Sequence, residues 1–302
     1  MIVHLALMKR ALLNLHLAVF LAGFTGILGR LISLNESLLV WYRLFITVIT
    51  LTVLFLLQRS FPVISLKSLL RIFGVGLIVV LHWVAFYGSI KYSNVSIALV
   101  CFSTLGFFSA VVEPFIMRKK ISVTELLLGM LAVTGVYLIF HFDTRYKTGI
   151  IFGLTSAILA ALFTVLNKKL LAKHEVKTVT FYELMGGFIL LTLLLPVYLR
   201  FFTLNFALPR GWDWLWLLIL SWLCTVLAFY FTLNALKKVS PFTVNLSYNL
   251  ELVYGIVLAF MIFQENKYLG FSFYIGLFLI IIAVGLQMLR FARFARSEIC
   301  EI

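Results

Sequence analysis

Residues 240–263 read "SPFTVNLSYNLELVYGIVLAFMIF", and this stretch decides the class of the fold. The run is apolar over most of its length, yet it carries one carboxyl group, that of Glu251, near its centre. Since about 20 apolar residues of helix are enough to cross the hydrocarbon core of a bilayer, the stretch predicts a membrane-spanning helix. An acid at mid-depth is costly in lipid, so we expect Glu251 to face something other than acyl chains.

The composition extends this prediction to the whole chain. Of the 302 residues, 63% are hydrophobic and 12% are charged, whereas ordinary soluble domains are about 45–50% apolar and about 25% charged. No polar block is long enough to form an extramembrane catalytic or binding domain. The formal net charge of +14 comes from Lys and Arg placed between apolar runs, which is typical of membrane topology and does not indicate a nucleic-acid partner.

Apolar runs of the required length recur along the sequence. They cover residues 11–32, 37–57, 69–90, 95–117, 123–140, 149–167, 178–199, 212–235, 241–263 and 268–289. Alternation with a period of two is absent, which argues against a transmembrane β-barrel. We expect an all-α polytopic membrane protein with ten transmembrane helices, the first of them retained and not cleaved as a signal peptide.

Basic residues in the connections predict the orientation in the membrane. With the N-terminus placed inside, most of the 25 Lys and Arg residues fall on the cytoplasmic side. The opposite side receives Arg30, Lys91, Arg145, Lys147, Arg200, Arg210 and Lys267. We therefore expect a multi-pass protein of the cell (inner) membrane with both termini in the cytoplasm. Three cysteines without CxxC spacing predict neither a disulfide nor a metal site, and we expect no cofactor.

The two halves of the chain resemble each other. "GSIKYSNVS" at 88–96 aligns with "ALKKVSPFT" at 235–243, an offset of 147 positions. Earlier in the chain, "WYRL" at 41–44 matches "FYEL" at 181–184, an offset of 140. The single change of offset indicates one insertion, in the long connection at 200–213. A duplicated unit of five helices would show this pattern, whereas chance matches would scatter.

Five spans per copy is an odd number, so the second copy must enter the membrane in the opposite sense to the first. We therefore expect an inverted 5+5 repeat, with units at residues 1–145 and 146–302. Inverted repeats related by an axis in the membrane plane are typical of secondary transporters, where two tilts of similar energy open opposite sides. The alternative is an ancient duplication that serves packing alone.

The segments that close each half carry a family resemblance. Residues 93–140 read "SNVSIALVCFSTLGFFSAVVEPFIMRKKISVTELLLGMLAVTGVYLIF", and residues 240–286 read "SPFTVNLSYNLELVYGIVLAFMIFQENKYLGFSFYIGLFLIIIAVGL". Each contains a helix, a short charged hinge and a glycine-bearing helix. Over essentially the whole chain this pattern resembles the EamA-type proteins of the drug/metabolite transporter superfamily. That family more often has a proline after the glutamate, where Leu252 stands here, and Gly-Glu in the hinge, where Gln264 and Glu265 stand.

The resemblance implies a substrate cavity between the third, fourth, eighth and ninth spans, with the second and seventh contributing to its walls and gates. Members of the family carry amino acids, nucleotide sugars, purines, vitamins and other small metabolites, often outward. The implied partners are therefore a small-molecule substrate and the lipid bilayer, with no nucleic acid. A monomer and a homodimer are both compatible with the sequence.

Glu251 is the first candidate site residue. A charge at the bilayer centre costs roughly 2.5–3.5 kcal/mol on insertion scales, so such residues usually face a cavity that serves a pathway. At 100° per residue, Ser247 and Tyr248 lie on the same side of the helix. An acid in such a place can exchange a proton, which makes proton coupling through Glu251 a hypothesis. The alternative is a protonated acid that is hydrogen-bonded between packed helices.

A second candidate group lies on the third span and at its repeat equivalent on the eighth. His82, Trp83 and Tyr87 form a polar and aromatic cluster, and the offset of 147 gives Tyr230 and Asn234 as the counterparts of Trp83 and Tyr87. Such clusters can bind a flat or amino-acid-like ligand. The alternative is an aromatic belt at the membrane interface.

Ser103 and Thr104 on the fourth span and Arg43 on the second span complete the candidates. Thr104 is the positional counterpart of Glu251 in the repeat. Small residues of this kind bind a ligand or permit close helix packing. Arg43 can pair with a substrate carboxylate, reach toward Glu251 or snorkel to the surface.

These features favour a secondary transporter with alternating access over an enzyme. We expect it to move a small polar or amphipathic metabolite such as an amino acid, as an exporter, with Glu251 exchanging a proton. The alternatives are a multispan membrane enzyme and a non-transporting scaffold. An enzyme would need a constellation such as HExxH or GxSxG, and ATP-driven transport would need GxxxxGK[ST]; the sequence contains none of them.

Overall fold

The fold was analysed on a computed structural model that describes residues 2–59, 61–142, 144–202 and 205–300. These residues form helices joined by short connections, without any strand. The helices are α1 (Ile2–Ala22), α2 (Thr25–Leu31), α3 (Glu36–Leu57), α4 (Leu66–Tyr92), α5 (Val95–Phe102), α6 (Leu105–Met117), α7 (Val123–Phe142), α8 (Lys147–Leu171), α9 (Val176–Phe201), α10 (Asp213–Ser221), α11 (Ala228–Lys238), α12 (Pro241–Phe263) and α13 (Phe271–Cys300).

The helices reproduce the predicted spans. Within the described part of the chain, nine helical stretches are long and apolar enough to cross a membrane. The tenth predicted span corresponds to α13, whose apolar part, Phe271–Leu286, is shorter. The all-α polytopic fold is thus confirmed. The ninth span, α12, is a continuous helix through Glu251, as expected for a sequence with Leu252 in place of the more usual proline.

Three of the spans are made of two helical pieces. The first consists of α1 and α2, the fourth of α5 and α6, and the eighth of α10 and α11 joined by a π-helical segment at Trp222–Leu227. At the first break the hydroxyl of Thr25 donates to the carbonyl of Ala22 at 2.6 Å, and at the second Thr104 donates to Cys101 at 2.7 Å. Irregular backbone at membrane depth is tolerated only where protein or a cavity surrounds it.

Equivalent helices begin within one residue of the spacing that the sequence repeat predicts. α3 and α9 begin at residues 36 and 176, 140 positions apart, whereas α5 and α12 begin at 95 and 241, 146 positions apart. The packing between the halves is also reciprocal. The first span of the second half, α8, packs on the third span of the first half, α4, and the first span of the first half packs through α1 on α11 of the eighth span. The fifth and tenth spans, α7 and α13, pack on each other, and so do the fourth and ninth.

The fourth and ninth spans share their terminal geometry. The side chains of Asn94 and Ser240 each accept a hydrogen bond from the backbone N–H three residues later, at 2.8 and 3.0 Å. Both spans end at a residue in the left-handed conformation, Arg118 with φ of 54° and Gln264 with φ of 53°. The charged hinges of the two halves are therefore equivalent in structure as well as in sequence.

Each of these two spans is capped by a carboxylate from the opposite half. Glu265 accepts from the backbone N–H groups of Val95 and Ser96 at 3.0 and 2.9 Å, at the start of α5. Glu113 accepts from the backbone N–H of Phe242 at 2.8 Å, at the start of α12. Since Glu265 follows the end of α12 and Glu113 lies near the end of α6, the fourth and ninth spans run antiparallel.

A close approach between the halves joins α7 to α13 at two glycines. A Cβ added to Gly276 would lie 2.5 Å from the carbonyl oxygen of Gly135, and one added to Gly135 would lie 2.7 Å from that of Gly276. Gly285 on the same helix has nothing within 4 Å of such a Cβ. We therefore expect Gly276→Ala to separate the two helices, whereas Gly285→Ala leaves their packing intact.

The prediction is a loss of roughly 1–3 kcal/mol of unfolding free energy for Gly276→Ala, since overpacking of a close helix contact costs about that much. Unfolding of the purified protein in detergent measures this loss, with Gly285→Ala as the matched control. Equal stability of the two variants would contradict the close α7–α13 contact.

Candidate functional site

A central cavity lies inside the helix bundle, between the two halves of the chain. The space within it that is open to the centre of a water-sized sphere is about 90 Å³. The first four spans contribute to its wall from one half, and the sixth, eighth and ninth contribute from the other. Six of the residues predicted from the sequence line it: Arg43, His82, Trp83, Tyr87, Tyr248 and Glu251.

Arg43 is the most highly connected of these residues. Its Nε donates to the hydroxyl of Thr225 at 2.5 Å, and its Nη1 donates to the hydroxyl of Tyr87 at 2.9 Å. Its Nη2 donates to the backbone carbonyl of Cys224 at 3.1 Å. The guanidinium carbon lies 3.9 Å from the centre of the Trp83 ring, a cation–π contact. Arg43 thus ties α3 to α4 and to the π-helical segment of the eighth span.

The guanidinium lacks an acidic partner in the described part of the chain. Arg43 is 2% exposed, and no carboxylate of these residues lies within ion-pair distance of it. A guanidinium carries five N–H donors, and the three contacts above leave some of them for a ligand. A buried cation without a counter-ion favours an anionic group in the adjoining space. The cavity is therefore suited to a carboxylate-bearing molecule.

Glu251 contributes an acid to the same cavity. Its side chain is 4% exposed, and its Oε1 lies 3.2 Å from the hydroxyl oxygen of Thr25. Thr25 sits at the break between α1 and α2, so the ninth span reaches the first through this contact. One turn earlier, the hydroxyl of Tyr248 lies 2.7 Å from that of Thr232 on the eighth span. The acid is thus directed into the protein and away from lipid.

His82 joins the third span to the sixth. Its Nδ1 lies 2.8 Å from the hydroxyl oxygen of Ser156 and 2.9 Å from the carbonyl oxygen of the same residue. The rings of Phe102 and Phe163 lie 5.5 and 5.4 Å from the imidazole, and both rings line the cavity. Together with Trp83 they form an aromatic wall against which a flat or apolar group can pack.

The structure places the other five predicted residues outside the cavity lining. They are Ser103, Thr104, Tyr230, Asn234 and Ser247. Four of the five side chains bond to a backbone carbonyl three or four residues earlier in their own helix. Short polar side chains often satisfy themselves in this way. The aromatic side chain that does line the cavity on the eighth span is Phe229, 6.3 Å from the ring of Trp83.

Several polar lining residues were not among the sequence candidates. They include Thr25, Thr164, Asn167, Thr232 and Asn245. Asn245 donates to the hydroxyl of Ser109 at 2.6 Å, so it both lines the cavity and links the ninth span to the fourth. The available signal was the presence of amide and hydroxyl side chains inside apolar runs, which favour helix interfaces and cavities over lipid.

A second buried acid lies beside the cavity wall. Glu183 on α9 is fully buried, and its Oε1 accepts from Nδ2 of the cavity residue Asn167 at 2.9 Å. Among the described residues, Oε2 of Glu183 has no hydrogen-bond partner. Glu183 is the repeat counterpart of Arg43. One of the two repeat-related positions therefore carries a basic residue that lines the cavity, and the other carries an acidic residue that lies beside its wall.

Comparison with known proteins gives a consistent result. The family model described as the EamA-like transporter family matches residues 9–141 and 147–289. The uncharacterized transporter YetK of Bacillus subtilis is 25% identical over 84% of this chain and 80% of its own length. An uncharacterized transporter of Archaeoglobus fulgidus is 32% identical over 41% of this chain and 42% of its own length. A solved crystal structure with 15% identity matches 95% of this chain and 99% of its own with a TM-score of 0.64, which shows a shared fold.

The Arg43 contacts generate a stability prediction. Thr225→Val removes the acceptor of a buried, charged N–H, and a hydrogen bond to a charged group is worth about 1.5–3 kcal/mol. We expect a loss of that size in the unfolding free energy measured in detergent. Thr155→Val is the matched control, because Thr155 is exposed and its hydroxyl bonds only to Ile151 of its own helix. Equal effects of the two substitutions would show that Thr225 does not hold Arg43.

Proposed function

We propose, for a chain that belongs to the EamA-like transporter family, that the central cavity carries a small amphipathic metabolite across the membrane by alternating access. The observation that supports this most directly is the joint presence of Arg43 and Glu251 in one buried cavity. Each is costly in a bilayer, and ionisable residues inside membrane proteins mark substrate or ion pathways.

The chemistry of the wall favours an amino acid or a similar metabolite as the substrate. The carboxylate would pair with the guanidinium of Arg43, which has no carboxylate within ion-pair distance among the described residues. An apolar or aromatic body would pack against Trp83 and Phe163. A substrate ammonium group would find its acceptor at Glu251. Export from the cell is the direction that the family resemblance favours, and we propose it on that basis.

Alternating access follows from the arrangement of the two halves. We propose that residues 1–145 and 146–302 are two units of opposite orientation, a relation supported by the antiparallel fourth and ninth spans. Glu265 joins these spans at one end and Glu113 joins them at the other. Release of one cap while the other holds would open the cavity on one side only. From the distribution of Lys and Arg, we place the protein in the cell membrane with both termini in the cytoplasm.

Glu251 is the group that we propose to couple transport to protons. It is the acid that lines the cavity among the described residues, and none of their cations lies within ion-pair distance of it. Each change of access would let it exchange a proton with a different side of the membrane. A substrate ammonium and a proton would then compete for the same carboxylate, which gives an exchange mechanism.

The proposal is tested first by ligand binding and then by transport of the ligand that binds. A thermal-shift screen of amino acids, nucleobases, vitamins and sugars identifies a ligand, because ligand binding stabilises the folded protein by mass action. We expect Trp83→Leu to abolish the shift, whereas Tyr230→Leu at the equivalent repeat position, outside the cavity, preserves it.

Transport of that ligand is then measured in proteoliposomes over a range of pH. We expect Glu251→Gln, which keeps the shape of the side chain but cannot release a proton, to abolish the pH dependence of the rate. Ser247→Ala, one turn away on the same helix and outside the cavity, is the control and should keep it. Unchanged rate and pH dependence in Glu251→Gln would show that proton coupling runs elsewhere.

A further inference from the structure

A second concave site lies at one end of the bundle, separate from the central cavity. It is an open cleft of about 1020 Å³ formed by the start of α4 and the ends of α6 and α8. Its basic rim consists of Arg71, Arg118, Lys168, Lys169, Lys173 and His174. None of these residues lines the central cavity. Three connections that are distant in sequence therefore bring their positive charges to one place.

Helix packing explains why the cleft exists. α4 and α6 both pack closely on α8, whereas contacts between α4 and α6 themselves are sparse. The gap between them is thus floored by α8. Gly74 deepens it, since a Cβ added there would meet nothing within 4 Å. The walls below the basic rim are apolar and include Val75, Ile78, Ile116 and Leu166.

The apolar surroundings show that the cleft opens toward lipid. Leu70 on α4 and Phe115 on α6 flank it and are 62% and 75% exposed. Such exposure of large apolar side chains is expected where a transmembrane helix meets acyl chains. The cleft therefore has a polar end at the membrane surface and an apolar end within the hydrocarbon, which is the shape of a phospholipid and not of a water-soluble ligand.

The charges of the rim are largely uncompensated. Within the described part of the chain, no carboxylate lies within ion-pair distance of Arg71, Arg118, Lys169 or Lys173. Lys168 differs from these four residues because its Nζ already donates to the backbone carbonyls of Leu236 and Val239. The other four cations can therefore interact with an external anion.

We propose that this cleft binds the phosphate headgroup of an anionic phospholipid, with one acyl chain lying along the apolar wall beside Gly74. Basic pockets between transmembrane helices on the cytoplasmic side bind such headgroups. Phosphate accepts hydrogen bonds from arginine in a bidentate manner, so Arg71 and Arg118 on opposite walls are suited to hold it from two sides. A bound lipid would fill the gap between α4 and α6 and stabilise their packing on α8.

The test uses the full-length protein purified in a neutral detergent. Dioleoyl phosphatidylglycerol, dioleoyl phosphatidylcholine and about 10 mM inorganic phosphate are added separately, and thermal unfolding and native mass spectrometry report stabilisation and bound lipid. We expect phosphatidylglycerol alone to stabilise the protein and to remain bound as one molecule. We expect Arg71→Gln/Arg118→Gln to weaken that binding by roughly tenfold or more, as two lost charges near a lipid surface predict.

Two further variants distinguish lipid binding in the cleft from general attraction of an anionic lipid to basic residues. Gly74→Leu fills the open space without changing charge and should also weaken the binding. Lys237→Gln/Lys238→Gln removes two exposed cations that lie outside the cleft and should leave it unchanged. Equal loss in this control, equal stabilisation by phosphatidylcholine, or stabilisation by inorganic phosphate alone would each overturn the proposed lipid site.

Discussion

A helix end that is buried in protein must find its hydrogen-bond partners within the chain, because water cannot reach it. Here that constraint joins the two halves, since Glu265 of one half and Glu113 of the other cap the opposing helices α5 and α12. The cap at Glu113 is itself held by Lys119, at 2.8 Å. Lys119 and Glu265 follow the equivalent hinge residues. In the second half the capping acid, Glu265, is itself a hinge residue. In the first half the capping acid, Glu113, precedes the hinge and forms an ion pair with the hinge residue Lys119.

The same constraint explains why irregular helices and the cavity coincide. A break or a π-helical segment exposes backbone carbonyls, and these carbonyls need donors. At the eighth span Arg43 donates to the carbonyl of Cys224, and Thr225, whose hydroxyl accepts from Arg43, donates to the carbonyl of Leu220. At the first span Thr25 donates to the carbonyl of Ala22 and lies beside Glu251. Polar side chains that a lipid-facing helix could not carry are thus retained where the backbone departs from the α-helix. The side chains that donate to the backbone at these irregular segments, such as Arg43 and Thr25, also line the cavity.

Much of this fold was predictable from sequence, because its determinants are local. The spans follow from the length of apolar runs, and the change of repeat offset placed the one insertion between the second and third spans of the halves. The cost of a charge in lipid favoured an interior position for Glu251, and for Arg43 it left an interior position and the surface open. Trp83 was a candidate because of the cluster that it forms with His82 and Tyr87. The π-helical segment had no visible signal, so the partners of Arg43 could not be named. For the same reason Ser103 and Thr104, which bond to their own backbone at a helix break, could not be distinguished from ligand-binding residues.

If the two carboxylate caps close opposite ends of the central cavity, removal of either cap should open that cavity on one side only. Cys224, which lines that cavity, reports on access in a Cys101→Ala/Cys300→Ser background. In proteoliposomes of known orientation, labelling by a membrane-impermeant thiol reagent should increase from the cytoplasmic side in Glu113→Gln and from the opposite side in Glu265→Gln. An increase from the same side in both variants, or from neither side in either, would contradict it.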